Sequence, residues 1–516
     1  MEASNREDPS ASEAVATADL AHTAGPAADR SNVPPVWLVV LVVGIGLAMR
    51  FWTLASPLGE ADSDEAVVGL MAGQFLEGDF DTFFWGSNYG GTIDQILTAG
   101  VFALVGPSVA ALKLVQVALA AGACLLTWRV GRRVVSEASA RTAALLFWIA
   151  PAAYVLFSTK SRGWHWLGLC LALGIVLTCL KLVDRPRWQE ASMLGLLLGL
   201  AFWTSPALGF LVLPAVAYAV ARRPRLLALA WTALPAFLIG AAPWIRYNLS
   251  NGFVSLEQLP VPVQTTYLGR LAGFFTEALP MALGLKVPYS HAWIAGPVAV
   301  VLYGLALLGL AVLLAGRPPR LAPLLVLAVA YPLLFAATSS SFYVNEPRYL
   351  LYLAPVIALL VAIPLTSPRR QVAALAVAAC LSVAGLASLV TWAGDHPDNY
   401  DLAAGELDLV ISVLDQRGIE TAWADYWTAY RLTFLTDEAV VAASVDYVRH
   451  LPYQQVVGAS PEVAYVVHRA TGPDQRLGGA LADLGIEFER IDAGAFAVYL
   501  PDEPRHPSTL PGVFGS

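Results

Sequence analysis

The 516-residue chain predicts a polytopic α-helical membrane protein of about eleven transmembrane helices with a small soluble α/β domain at its carboxy-terminal end. Three observations carry this prediction. Hydrophobic residues make up 57% of the chain and charged residues only 14%, where a soluble protein has nearer a quarter charged. Apolar runs long enough to cross a bilayer alternate with short Arg-rich turns. Near Asp395 the composition shifts to that of a soluble domain. The mean hydropathy of +0.61 agrees.

Residues 1–33 are rich in Ala, Ser, Asp and Glu with almost no large apolar side chains, the composition of a disordered tail. The start is not basic and the next apolar run is long enough to span, so a cleaved signal peptide is not expected. Residues 34–394 form the membrane domain. Spans are expected at about Pro35–Ala55, Ser108–Trp128, Thr142–Phe157, Trp164–Leu182, Leu226–Trp244, Trp293–Leu314, Leu321–Ala337, Tyr349–Leu365 and Val372–Trp392. The run from Ala191 to Val220 is too long for one helix and is interrupted at Ser205-Pro206, so it reads as a hairpin of two passes. Thr92–Val105 is apolar but short, and fits a helix lying in the membrane interface.

Five basic clusters set the expected orientation: Arg129, Arg132, Arg133 and Arg141; Lys181, Arg185 and Arg187; Arg222, Arg223 and Arg225; Arg317 and Arg320; Arg369 and Arg370. They share one side when the hairpin counts as two passes, and the positive-inside rule makes that side cytoplasmic. The chain then sits in the plasma (inner) membrane. Segments Ala55–Gly106, Ser158–Gly163, Ile245–Ala292, Ser339–Arg348 and everything after Thr391 face out.

Residues 395–516 read as alternating helices and strands, an extracytoplasmic α/β domain of about 110 residues without a phosphate loop or metal cluster. The four cysteines all fall in apolar runs without ligand spacing, so they are expected to be core residues, with no disulfide. The net charge of −8 excludes a nucleic-acid binder, which needs a concentrated basic face.

The stretch Leu58–Gly91 stands out. It holds Glu60, Asp62, Asp64, Glu65, Glu77, Asp79 and Asp81, with Asp94 just beyond, and no Lys or Arg between Arg50 and Lys113. Carboxylates beside membrane spans without counter-charges are costly unless they have a task or face water. Asp62 and Glu65 fit a capping box, and acids in a first turn suit the helix dipole. The helix they open carries Val67, Leu70, Met71 and Phe75 on one face, as an interfacial helix would. Capping does not require the tail Phe83, Phe84, Trp85, Tyr89, Gly90 and Gly91.

This order of features resembles the multi-pass glycosyltransferases of GT-C type that use lipid-phosphate sugars, the protein O-mannosyltransferase and lipid A aminoarabinose-transferase superfamily. The similarity is greatest to the lipopolysaccharide galacturonosyltransferase-like bacterial branch, in the DEA-V-GLMA run from Asp64 and the YGG at Tyr89–Gly91. It covers roughly residues 35–395. It implies an inverting transfer, in one step, from a polyprenyl-phosphate sugar to an acceptor hydroxyl of a cell-envelope lipid, glycan or protein. It also implies Asp64 as the catalytic base, with Glu65 orienting the acceptor or only capping the helix, and Asp62 as the alternative base. Glu346, Arg348 and Tyr349 match the segment that contacts the donor phosphate.

The residues read alone are compatible with this. A hydroxyl attacking an anomeric carbon needs a base, and the leaving phosphate needs cations. Lys160, Arg162 and Arg348 supply such cations on the outer side, and each also fits a snorkelling interfacial anchor. Arg246, Arg270 and Lys286 fit loop solvation better, and His165 and His291 fit interfacial hydrogen bonding. Trp85 and Tyr89 fit equally a sugar-stacking platform and the aromatic belt. Carboxylates suit Mg or Mn, but no convincing ligand set emerges; a divalent cation stays open and no cofactor is certain. The competing reading is a transporter or flippase of a lipid-linked intermediate, which needs paired broken helices and ionisable groups at the bilayer midplane. The expected partners are the donor, the acceptor and membrane lipids.

Overall fold

The computed structural model describes residues 32–257, 265–288, 291–338, 341, 346–395, 407–510 and 512–514. The expected tail therefore lies almost wholly outside the described residues, as do residues 396–406 and parts of the segments expected to face out.

The membrane part begins with helix α1 (Val36–Leu54). The acidic stretch then folds as helix α2 (Ser63–Glu77) and an irregular aromatic segment, followed by helix α3 (Ile93–Val105). Helix α4 (Val109–Val134) is long and apolar enough to cross a bilayer. Helix α5 (Glu137–Ile149) stops before Pro151, where the missing N–H breaks the ladder, and a short turn of helix, Ala152–Phe157, completes the apolar run. Helix α6 (His165–Asp184) is the most enclosed span. Helices α7 (Trp188–Thr204) and α8 (Gly209–Arg222) flank the expected break at Ser205-Pro206. Helix α9 (Ala230–Gly240) lies along α7. Three further helices follow: α10 (Pro297–Gly316), α11 (Ala322–Ala336) and α12 (Ala354–Ala362). The long helix α13 (Pro368–Asp395) closes the membrane part.

The count of about eleven crossings is not confirmed by helix length. Among the described residues six helices are long and apolar enough to span, seven when the pair Pro206–Arg222 and Pro224–Gly240, bent by 110°, is taken as one. Prolines divide several apolar runs into helices too short to cross alone, as at Pro151 and Pro224. The spans are also not free of charge: Arg50 and Lys113 are both buried within them.

The carboxy-terminal domain is a three-layer α/β unit. Its strands are β1 (Thr421–Ala424), β2 (Val441–Ser444), β3 (Ala464–His468), β4 (Phe488–Ala493) and β5 (Phe496–Pro501). They form one sheet in the order β2-β1-β3-β5-β4, parallel across the first three and antiparallel across the last two pairings. Alternate residues feed two cores. Ala422, Val466 and Val498 meet helix α14 (Asp408–Arg417) on one face, and Trp423, Tyr465 and Tyr499 meet helix Gly472–Asp483 on the other. Strand β1 is buried throughout, as a central parallel strand covered on both faces should be. Helix α15 (Tyr426–Leu435) follows β1 directly, and helix α16 (Leu451–Ala459), absent from the sequence reading, follows β2.

Helix α15 explains one departure from expectation. Helix α2 does not lie with one face in the membrane and the other in water, because α15 covers it. Val67, Val68, Leu70, Met71 and Phe75 share one core with Tyr426, Tyr430, Phe434 and Tyr453. The approach is close at Gly69, where a Cβ would come within 2.4 Å of the Phe434 ring. This contact puts the acidic loop and the carboxy-terminal domain on one side of any bilayer the spans cross. Two of the other segments expected there also meet the acidic loop: Lys160 faces Asp62 and Glu65, and Tyr247 donates to Asn88 Oδ1 at 2.9 Å.

Candidate functional site

The site grows from the start of α2. Asp62 is the N-cap: its Oδ1 accepts from the Glu65 N–H at 3.0 Å, and Glu65 Oε2 accepts from the Asp62 N–H at 3.2 Å. The capping box is therefore present, yet both carboxylates do more than cap. Arg162 donates through Nε to Asp62 Oδ2 at 2.8 Å, with Lys160 Nζ 3.8 Å from the same oxygen. Burial pushes the Asp62 carboxyl up, but Arg162 and Lys160 outweigh it and hold the group down at about 2.

Glu65 is fully buried and receives Lys113 Nζ at 2.8 and 2.9 Å, Lys160 Nζ at 3.3 Å and the Ser161 N–H at 2.7 Å. Lys113 also donates to the Thr159 carbonyl at 3.1 Å. Gln116 reaches both oxygens of the buried Asp94 and the Ser161 hydroxyl. The result is that the segment Ser158–Gly163 is pinned from below by α3 and α4 and from the side by α2. Glu65, expected beside the base with an open role, is a support for this segment and has no surface from which to meet an acceptor. Asp94 is likewise enclosed.

Asp64 points the other way. It alone of Asp62, Asp64 and Glu65 is partly exposed, at 21% of its side chain. Its Oδ1 accepts from the Tyr426 hydroxyl and from Arg449, whose nitrogen is 3.2 Å away. Burial and the Asp64 carboxylate push the Tyr426 phenol well above its ordinary range, so it stays a donor. Both partners come from the carboxy-terminal domain, whose chemistry was silent in sequence.

The expected cations converge. Lys160, Arg162, His165 and Arg348 line one small cavity, floored by Phe157, Trp166 and Leu351. Arg348 contacts Glu346 at 3.5 Å, the outer limit of a hydrogen bond, and lies over the Tyr349 ring at 5.4 Å. Tyr349 in turn meets His165 edge-on. The Asp64 carboxylate acts electrostatically on Arg348. Lys160, Arg162 and Arg348 are thus brought to one place, with Glu346 and Tyr349 against Arg348 and Asp64 within electrostatic reach of it. Arg270 and Lys286 are not: they bond to the Ala336 carbonyl and to Glu277.

The two aromatic candidates separate. Trp85 is buried, donates to Asp81 at 2.6 Å, and is stacked on His450 with centroids 3.9 Å apart. Its faces are taken by the carboxy-terminal domain, so it offers no platform to a sugar. Tyr89 is 43% exposed beside Trp164 and keeps an open surface. Among the described residues no group of three or more His, Cys, Asp or Glu could hold a metal ion.

The fold is that of the GT-C type membrane glycosyltransferases. Residues 95–247 match the family described as dolichyl-phosphate-mannose-protein mannosyltransferase, a region holding Lys160 and Arg162 but neither the Asp64 loop nor the carboxy-terminal domain. Among solved structures the chain is similar to ArnT from Cupriavidus metallidurans bound to undecaprenyl phosphate, with 15% identity, 93% of this chain and 99% of that chain covered, and a TM-score of 0.61. It is also similar to the archaeal oligosaccharyltransferase AglB from Archaeoglobus fulgidus in complex with an inhibitory peptide and a dolichol-phosphate. There the identity is 11%, the coverage 90% of this chain and 74% of that chain, and the TM-score 0.50. No curated protein sequence is similar enough to count as a match.

Proposed function

We propose that the chain is a multi-pass inverting glycosyltransferase that moves a sugar from a polyprenyl-phosphate donor to an acceptor hydroxyl on a cell-envelope molecule, at the outer face of the plasma membrane. The observation that carries this reading is the cavity lined by Lys160, Arg162 and Arg348, with the partly open Asp64 carboxylate within electrostatic reach of Arg348. A displacement at an anomeric carbon needs these two parts together: a base for the incoming hydroxyl and cations for the outgoing phosphate. The bound lipid phosphates of the ArnT and AglB structures support the donor class, and the Arg-rich loops support the orientation.

In this reading Asp64 Oδ2 accepts the hydroxyl proton as the acceptor oxygen bonds to the anomeric carbon. The carbon–oxygen bond to phosphate breaks on the opposite face, and its electron pair leaves on the polyprenyl phosphate. Arg348 is the cation most able to turn to that phosphate, since its contact with Glu346 is long. Lys160 and Arg162 are fixed by Glu65 and Asp62, so they hold the charge of the cavity without reorganising. Tyr89 is placed to meet a ring at the open edge.

The test is Asp64→Asn in purified, folded protein, assayed with polyprenyl-phosphate-linked sugars extracted from host membranes. Loss of a general base lowers turnover by on the order of a hundredfold or more. Asp62→Asn, which keeps a capping side chain, is expected to affect folding stability more than turnover. Full turnover by Asp64→Asn would remove this carboxylate from the reaction.

A further inference from the structure

Asp64 is held by a group of contacts that all come from the far end of the chain. Arg449 donates through Nε to the Tyr426 hydroxyl at 2.8 Å, through one terminal nitrogen to the Trp85 carbonyl at 3.2 Å, and through the other to Asp64 at 3.2 Å. Its guanidinium packs over the rings of Phe84, Tyr426 and Tyr447 at 4.7, 5.2 and 4.8 Å. The backbone of Gly86 lies against it so closely that a Cβ would come within 2.9 Å of the Arg449 Cα. The neighbouring Ser63 hydroxyl donates to the Tyr426 carbonyl at 2.6 Å. His450 stacks on Trp85, and Trp85 reaches Asp81. The aromatic and glycine-rich tail of the acidic stretch is thus a seat for the segment Tyr447–His450.

We propose that Arg449 and Tyr426 are positioning residues for Asp64, through which the carboxy-terminal domain completes the site. The inference rests on the transferase reading for its consequence, but not for its geometry. Both donors meet Oδ1, which fixes the rotation of the carboxylate and leaves Oδ2 for an acceptor hydroxyl. The Tyr426 phenol remains protonated beside it. Removing Arg449 therefore removes the cation in direct contact with Asp64 while leaving Arg348 in place.

The experiment uses the full chain in lipid nanodiscs. Arg449→Ala and Tyr426→Phe are each expected to lower kcat in the transfer assay by about tenfold or more while KM for the donor and binding of undecaprenyl phosphate stay unchanged, with Arg449→Lys recovering much of the loss. A thermal-unfolding double-mutant cycle on Asp64→Asn and Arg449→Ala reads the contact without any assay of transfer, and the two losses are expected to be less than additive. An unchanged kcat in folded Arg449→Ala, or additive losses in the cycle, would overturn the proposal. If the cycle shows coupling while Asp64→Asn still transfers sugar, the contact stands and it is the transferase reading that falls.

Discussion

Lys113 and Glu65 lie 48 positions apart in the chain, yet the Lys113 ammonium sits 2.8 Å from Glu65 Oε1, with 1% and 0% of the two side chains exposed. A membrane helix supplies the cation, and the start of α2 supplies the anion. Neither would be tolerated there alone.

Breaking that pair from one side is expected to be costly. Lys113→Met leaves a buried carboxylate with only part of its compensation, a loss of about 3–5 kcal/mol. The double change with Glu65→Leu is expected to recover much of it, because both charges are then gone. Thermal unfolding in detergent checks this, and equal losses in the single and double variants would deny the coupling.

Asp62 gives a pH-dependent counterpart. Its carboxyl is held at about 2, below the ordinary value of 3.8, so the folded chain gains stability wherever Asp62 is ionised. That gain is complete above pH 4 and is lost as the pH falls towards 2. It amounts to about 2 kcal/mol. The stability difference between the natural chain and Asp62→Asn is therefore expected to be widest near neutrality, to shrink below pH 4, and to close near pH 2. Chemical denaturation at stepped pH measures it, and a difference constant down to pH 2 would remove the ion pairs with Arg162 and Lys160 as its cause.

Arg348 is expected to act on binding and not on folding. Arg348→Ala removes a charged hydrogen-bond donor facing the cavity, with a loss of about 1.5–3 kcal/mol in affinity for undecaprenyl phosphate, or roughly ten- to a hundredfold. Arg348→Lys is expected to fall between, because an ammonium lacks the planar fork. A binding titration with unchanged affinity in Arg348→Ala would take the phosphate out of this cavity.

Orientation has its own test. In a cysteine-free background, a membrane-impermeant maleimide on intact cells is expected to label Asp483→Cys and not Ser10→Cys, the latter lying outside the described residues. Labelling of position 10 alone would invert the arrangement. The contact between Asp64 and Arg449 would still keep the acidic loop with the carboxy-terminal domain.

The features legible in sequence are those with a local signature. Asp62 and Glu65 declare a helix start by their spacing, and proline at 206 declares the hairpin break. Most strands and helices after residue 407 follow their turn signals. The number of crossings is not confirmed by helix length, because hydropathy measures apolar content, not the continuity of a helix, and proline at 151 and 224 divides what composition joins. Lys160, Arg162 and Arg348 could be grouped because the Arg-rich turns sort loops by side. What stayed hidden was every pairing that depends on tertiary approach. Lys113 carried one signal, a single cation amid apolar residues, which ought to have prompted a search for its anion. Tyr426 and Arg449 carried none, since nothing within their own segments distinguishes them from other residues of an α/β domain.

The contact between Asp64 and Arg449 also orders events during synthesis. The first loop to emerge beyond α1 holds the carboxylate, while the residues that orient it are translated more than three hundred positions later and must arrive on the same side of the bilayer. A nascent chain, a truncated one, or one threaded with an odd number of intervening crossings would hold Asp64 without its partners. In such a protein the state of the reaction centre reports whether the whole chain has been correctly threaded.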